Sequence, residues 1–294
     1  MKKKRKPLTR KQRVLRNILI ALLLSGLFFI LLGFLPGIDV SRYNYVSPKV
    51  PEAFDGFKIL QISDLHCKEF GENQSKIIAK IKAQKPDIIV FTGDLIDGYH
   101  DSIEPAITLV KALAELGVPI YSVTGNHETD NKRFLKEYTK VCDECGIIPL
   151  DDKTTANTKN GESINLCGFE WCVPAKYADM PTENKKYVMP FEKPSADTLN
   201  ILLNHNASVF PYITDQNFDL ILAGHLHGGV IRLPFIGGLL NNSHGFGCKY
   251  EAGAETIGTT TQITSRGLGD ALIPIPRFYN RPEIVVVTLK HAGN

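Results

Sequence analysis

From Phe57 the chain alternates in a regular way, without an internal sequence repeat: short apolar runs ending in a polar residue are followed by stretches with helical spacing. The series reads "FKILQISD", "NQSKIIAKIKAQ", "DIIVFTGD", "IEPAITLVKALAEL" and "PIYSVTGNH". Strands alternating with helices imply βαβ units and a largely parallel sheet. One more helix, "NKRFLKEYTKVCDEC", ends at Gly146, a residue type suited to a helix C-terminus. From Ile147 the pattern changes to short strands between turn residues: "IIPL", "SINLCGF", "NILLNH", "DLILAGH", "TTTQITS" and "EIVVVTLK". The second half is therefore expected to hold a mixed or antiparallel sheet, in an α/β domain. A chain of 294 residues that is 43% hydrophobic can bury such a core in one domain.

The polar residues at the strand ends share one chemistry. They are Asp64 and His66, Asp94 and Asp97, Asn126, His127 and Glu128, His205, and His225 and His227. On an extended strand, D-x-H and H-x-H spacings place both polar side chains on one side, with Leu65 and Leu226 turned to the core. Ligand sites in open α/β sheets gather at the carboxyl ends of strands. Gly93, Gly125, Gly224, Gly228 and Gly229 let the chain turn sharply there. Imidazole with carboxylate suits Mn²⁺, Fe²⁺ or Zn²⁺, and two such ions about 3.5–4 Å apart form a clamp for phosphate ester hydrolysis. Each motif alone is an ordinary turn; five of them in order after five apolar strands carry the inference. The nucleophile elbow G-x-S-x-G and the phosphate loop G-x-x-x-x-G-K-[ST] do not occur.

The ordered set "SDLH", "GDLID", "GNHE", "NH" and "GHLHGG" resembles the calcineurin-like metallophosphoesterases over about Phe57 to Lys290. The flanking "AFDGFKILQISDLH" and "RGLGDALIPIPRFYNRPEIVVVTLK" resemble its membrane-anchored bacterial branch of UDP-diacylglucosamine pyrophosphatase-like phosphodiesterases. The resemblance implies a sandwich of two mixed β-sheets flanked by helices, with an N-terminal transmembrane helix. It implies two divalent ions (Mn, Zn or Fe). Asp64, His66 and His227 would hold one, Asn126, His205 and His225 the other, with Asp94 bridging and His127 as the acid near the leaving group. It also implies a phosphate-ester substrate with a phosphodiester or pyrophosphate bond, lipid-linked or from the cell envelope. One departure is "LLNHNAS": related branches more often follow the His205 strand with a proline and an acid, where this chain has Asn206 and Ala207.

Two rival readings share these residues: an anchored, non-catalytic metal-binding module, and a two-metal hydrolase of other esters or amides. Asp97 and Glu128 are expected either to orient ligand imidazoles or to cap local turns. Arg266 is expected to contact a phosphate or to form an ion pair. His100, His244 and His291 belong to no motif.

The N-terminus carries a different signal. "MKKKRKPLTRKQRVLR" has nine Lys or Arg and no acid, and the stretch Asn17 to Ile38 is uncharged. This predicts a cytoplasmic tail over 1–16, a single-pass anchor over 17–38 that is uncleaved, with a cleaved secretory signal as the alternative, a connector over 39–56 and the phosphoesterase domain over 57–294 outside the cell membrane. Of 34 Lys and Arg, nine lie in the tail; the remaining 25 face 31 acids, so the body lacks the basic face of a nucleic-acid binder. Tyr43 and Tyr45 are expected either as interfacial anchors or as packing, and "VIRLPFIGGLL" either as a core strand and turn or as a lip facing lipid. Cys142 and Cys145 in "CDEC", and Cys167 and Cys172 in "CGFEWC", allow local disulfides, a structural zinc or buried thiols; Cys67 and Cys248 stand apart.

Overall fold

A computed structural model describes residues 8–130, 133–171, 190–241, 245–246, 249–270 and 275–293. The chain divides into two units, Met1–Pro36 and Gly37–Asn294. In the first, helix α1 (Arg10–Gly33) opens with a capping box between Thr9 and Gln12 and is about 36 Å long at 1.5 Å per residue, enough to cross a bilayer core. It starts inside the basic stretch and stops before Ile38, so its bounds differ from the uncharged run 17–38. Charge marks which residues lipid tolerates, whereas backbone geometry marks the helix: Leu35 precedes Pro36, which disfavours helical backbone there.

In the second unit, strands β1 (Asp39–Ser47), β2 (Lys58–Ile62), β3 (Ile88–Thr92), β4 (Ile120–Val123) and β5 (Ile148–Pro149) alternate with helices α2 (Ser75–Gln84), α3 (Glu104–Ala114), α4 (Asn126–Asp130) and α5 (Leu135–Glu144). Then follow β6 (Lys153–Lys159), β7 (Glu162–Gly168), β8 (Asn200–Asn206), β9 (Leu220–Gly224), β10 (Ile231–Leu233), β11 (Gly237–Asn241), β12 (Gly245–Phe246), β13 (Gly253–Ile257), β14 (Thr260–Thr264) and β15 (Glu283–His291). One six-stranded sheet has the order β1-β15-β2-β3-β4-β5, the other β13-β14-β9-β8-β7-β6, and β10-β11-β12 form a small third sheet.

β2 and β3 are apolar on both faces because both are covered. Leu60, Ile62, Ile89 and Phe91 pack against Ile77 and Ile81 of α2, Leu109, Val110 and Leu113 of α3, and Tyr138 and Val141 of α5. Ile59 and Val90 face the other sheet's Ile164, Leu166, Ile201, Leu203, Leu220 and Leu222. The fold is thus a sandwich of two mixed sheets with helices outside, as the family resemblance implies.

Three stretches go to the first sheet against expectation. Residues 39–47, expected in a connector, form the edge strand β1, parallel to β15. "EIVVVTLK", placed with the second half, forms β15 and runs antiparallel to β2, and "IIPL" supplies β5 beside β4. The first sheet is therefore mixed, because local pattern identifies a strand but not its neighbour. Tyr43 and Tyr45 lie on β1 with their rings against the inter-sheet core, so packing is their role in this unit. Cys67, Cys142, Cys145 and Cys167 are free thiols; Cys172 and Cys248, and with them any pairing in "CGFEWC", lie outside the described residues.

Candidate metal centre

Most of the polar motifs begin where the strands stop, although His205 lies within β8. β2 ends at Ile62 and β9 at Gly224, so Asp64, His66, His225 and His227 sit on loops rather than on extended strand. Their convergence comes from left-handed backbone: φ is 50° at Asp64, 48° at His66, 56° at Asp94, 74° at His225 and 49° at His227. Strand alternation, the expected cause, is therefore replaced by tight turning. Leu65 and Leu226 are buried as expected. Non-glycine residues in this region cost about 1–3 kcal/mol each in strain, a feature that clusters at functional sites.

The surroundings hold the turns in place. Glu128 is buried and accepts N–H groups from Asp94 (2.7 Å), Leu95 (2.7 Å) and Gly125 (2.8 Å). Its carboxylate thus ties the loop after β3 to the one after β4. Burial, then the charge of Asp94, raises its pKa to about 7. Gly93 allows the close approach these loops need, since a Cβ there would lie 2.6 Å from both the Gly125 nitrogen and His205 Nδ1.

Three clusters of donor atoms result: Asp64 with His66 and His227, His66 with Asp94 and His127, and Asp94 with His205 and His225, each within 4.8 Å. His66 Nε2 and His227 Nε2 are 3.2 Å apart, close to the separation of two imidazoles sharing one ion at about 2.1 Å from each. Asp94 Oδ2 lies 3.0 Å from His205 Nε2 and 3.8 Å from His66 Nε2, so one carboxylate reaches both groups. His205 Nδ1 donates to the Thr92 carbonyl at 2.7 Å, which aims Nε2 at Asp94 and at Asn126 Oδ1, 3.2 Å away. This backbone partner for the second ring nitrogen is the usual support of a ligand histidine.

Electrostatics fit bound cations. Burial, reinforced by neighbouring imidazoles, lowers His225 to about 3 and His227 well below its ordinary value; burial also lowers His66. These rings are neutral, with lone pairs available to an ion. Burial opposes charge on Asp94 and His205, but their mutual attraction outweighs it, holding the Asp94 carboxyl well below its usual range and raising His205 to about 10. The donor set of carboxylates, an amide and imidazoles suits first-row divalent metals.

A cavity of about 450 Å³ opens onto this cluster, with Lys68, Asp97, Tyr99, His100, His127 and Asp270 around it. The family model for calcineurin-like phosphoesterases matches residues 57–229, a span that holds every one of these converging ligand candidates. The chain belongs to the calcineurin-like phosphoesterase family. Among its relatives, the uncharacterised metallophosphoesterase YkuE of Bacillus subtilis is 31% identical over 86% of this chain and 86% of its own length. Phosphodiesterase YaeI of Escherichia coli is 28% identical over 79% of this chain and 82% of its own. UDP-2,3-diacylglucosamine pyrophosphatase LpxG of Chlamydia muridarum is 22% identical over 67% and 71%. As a calcineurin-like phosphoesterase the protein is a metal-dependent phosphoester hydrolase.

Other expected residues of this phosphoesterase find different places. Arg266 pairs with Glu283 (2.7 Å) and Asp39 (3.1 Å), joining β15 to the start of β1; it forms a partly buried structural ion pair, with its stem packed against Gly228. Asp97 does two things: it lies 3.7 Å from His66 Nδ1 and binds His100 Nδ1 at 2.9 Å. His100 thereby joins the cavity wall while remaining a surface histidine, its side chain 54% exposed. His291 caps the Val50 carbonyl at 2.6 Å, while His244 lies outside the described residues. Asn206 caps the turn after β8 by accepting from Ser208 N at 3.0 Å.

Two neighbours of the site were not legible in advance. The Trp171 ring lies 5.4 Å from that of His205 and 4.8 Å from that of His225. Arg277 Nη2 lies 3.3 Å from His227 Nδ1 and donates to the Gly269 carbonyl. Neither sits in a ligand motif; the only signals were the lone tryptophan and an arginine in the "RFYNRPE" tail.

Proposed function

We propose that this phosphoesterase is a membrane-anchored, dinuclear enzyme that hydrolyses a phosphodiester or pyrophosphate bond of a lipid-linked or envelope substrate. The carrying observation is the position of Asp94, whose carboxylate belongs to the His66 group and the His205 group at once. Asp64, His66 and His227 would hold one ion, and Asn126, His205 and His225 the other. When bound, two such ions supply Lewis acidity toward the phosphoryl oxygens and a hydroxide nucleophile near neutral pH.

The chain's own residues do the rest. His127 stands edge-on to His66 with ring centroids 4.7 Å apart, and its backbone N–H donates to Asp94 Oδ1 at 2.8 Å. That pins the imidazole at the cavity wall, where it delivers a proton to the departing oxygen. Asp97 steadies His66 from behind, and Glu128 keeps the Asp94 loop shaped for its bridging place. Lys68 and Asp270, paired at 2.6 Å, stand together on the rim of the cavity.

The anchor is supported by α1, whose Leu22 and Leu23 (65% exposed) and Phe28 (63%) have no protein cover, and by the basic residues ahead of it. Relatives that act on a phosphodiester and on a lipid-linked pyrophosphate support the substrate class.

The deciding experiment strips the full-length protein of metal, restores Mn²⁺ or Zn²⁺, and offers a phosphomonoester, bis-p-nitrophenyl phosphate and a UDP-acylglucosamine. Metal-restored turnover of a diester or pyrophosphate, lost in Asp94→Ala, is expected. Turnover of acyl esters alone, or two ions bound without turnover, would sink the proposal.

A further inference from the structure

The hairpin that follows the metal loop carries an apolar tip that the fold does not require. β10 and β11 are joined by Pro234, Phe235 and Ile236, and the Ile236 N–H donates to the Leu233 carbonyl at 3.2 Å. Phe235 holds a φ of 68°. Proline second and a left-handed residue third is the pattern of a type II turn, whose third position favours glycine. A phenylalanine there is strained, yet its ring buries nothing: Phe235 is 109% exposed and Ile236 69%. Within the described residues of Gly37–Asn294, the other exposed large apolar side chains, Val46, Tyr99, Ile148 and Ile275, are not adjacent to one another in sequence.

The same chain indicates what covers this tip. α1 is an apolar helix of spanning length with exposed side chains. The link from Gly33 to Asp39 reaches at most about 20 Å when fully extended. A bilayer that holds α1 is therefore within reach of the catalytic unit. Behind the tip, Arg232 and Tyr279 line a recess of about 380 Å³ with Leu233 and Pro234. Long cations and tyrosines are the residues that settle at headgroup depth beside an inserted apolar group. The hairpin is also fastened to the metal loop, because Arg232 Nη1 donates to the Gly228 carbonyl at 2.8 Å, next to His227.

We propose that Phe235 and Ile236 insert into the surface of the bilayer that holds α1, so that the metal centre works on phosphoesters presented at the lipid surface. The inference rests on the anchored reading given under the proposed function. It adds a second membrane contact, one that orients the site where α1 only tethers it.

The test uses full-length protein reconstituted in phosphatidylcholine–phosphatidylglycerol vesicles. Phe235→Trp is compared with wild type, which carries only Trp171. The added emission is expected to be blue-shifted and quenched by lipids brominated on their acyl chains. Quenching by aqueous iodide with none from brominated lipid overturns the proposal, as does protection from both, which would mean that protein covers the tip. In parallel, Phe235→Ser/Ile236→Ser is expected to keep turnover of bis-p-nitrophenyl phosphate. It should lose at least about tenfold on a phosphodiester lipid embedded in the vesicles. Equal losses on both substrates, or none on either, also overturn it. If wild type cleaves neither, the proposed activity fails, and the quenching result still decides the hairpin.

Discussion

The two sheets meet at the metal centre with different chemistry. The first delivers Asp64, His66, Asp94 and Asp97 from loops and Asn126 and Glu128 from helix α4; the second delivers His205, His225 and His227 and no carboxylate. Glu128 ties the Asp94 loop to Gly125, and the Asp64 and His66 amides donate to the Gly93 and Asp94 carbonyls at 3.0 Å each. The second sheet's ligands lean on the first: His205 Nδ1 donates to the Thr92 carbonyl, and the His225 backbone N–H donates to Asp64 Oδ1 at 3.0 Å and Oδ2 at 3.1 Å. The carboxylates thus sit on the side whose loops are bound to one another, and the second sheet's ligands are bound to that side. The lesson is that a site between two sheets is ordered from the side that carries the anionic groups, and the other side's ligands are placed by bonds to it.

Substitutions on either side test this asymmetry. Asp94→Ala is expected to have the largest effect: both ions lost by elemental analysis, and turnover of a model diester down by about 10³-fold or more. His225→Ala, on the other sheet, should leave one ion per chain; two ions lost there would break the asymmetry. His127→Ala should retain both ions while slowing turnover by about 10²–10⁴-fold, the range of a missing general acid. An empty site in this variant would make His127 a ligand instead.

Glu128→Gln keeps the shape but presents an NH₂ group to backbone donors that expect an acceptor. A loss of about 2 kcal/mol in urea unfolding is expected, and an unchanged midpoint would remove Glu128 as the support of the acidic side.

The smallest effect concerns the seam between the sheets. Burial, then the charge of Asp219 beside β9, raises Tyr45 on β1 from 10.0 to about 12. Its folded pKa exceeds the unfolded one, so its contribution to stability is complete below pH 10.0 and is lost as pH rises through about 12. Urea midpoints should fall over that window, and Tyr45→Phe should fall less. An identical alkaline fall in the variant would place the titrating group elsewhere.

Much of the first half was legible because its signals are local. An apolar run that must be covered on both faces reads directly as β2 or β3, and the helical spacing of "NQSKIIAKIKAQ" anticipates α2 closely. Other contributions are not local. β1, β5 and β15 joined the first sheet through partners far away in sequence, and Glu128, read equally as a cap or an orienting group, proved to bind amides on a loop more than thirty residues earlier. Arg277 and Trp171 reached the site by packing alone. Arg266, with two roles open in the sequence, was taken up by Glu283 and Asp39.

By itself the sequence determined the ligand types, their order and the apolar strands that end in them, because residue chemistry and hydrophobic periodicity are properties of short segments. It likewise determined a stretch apolar enough for a membrane. Only the tertiary structure decided that five left-handed ligand residues, and not strand alternation, bring the donors together, and that the tip at Phe235 is left outside the core. Such backbone strain persists only where surrounding hydrogen bonds and packing impose it, and those partners come from both sheets at once.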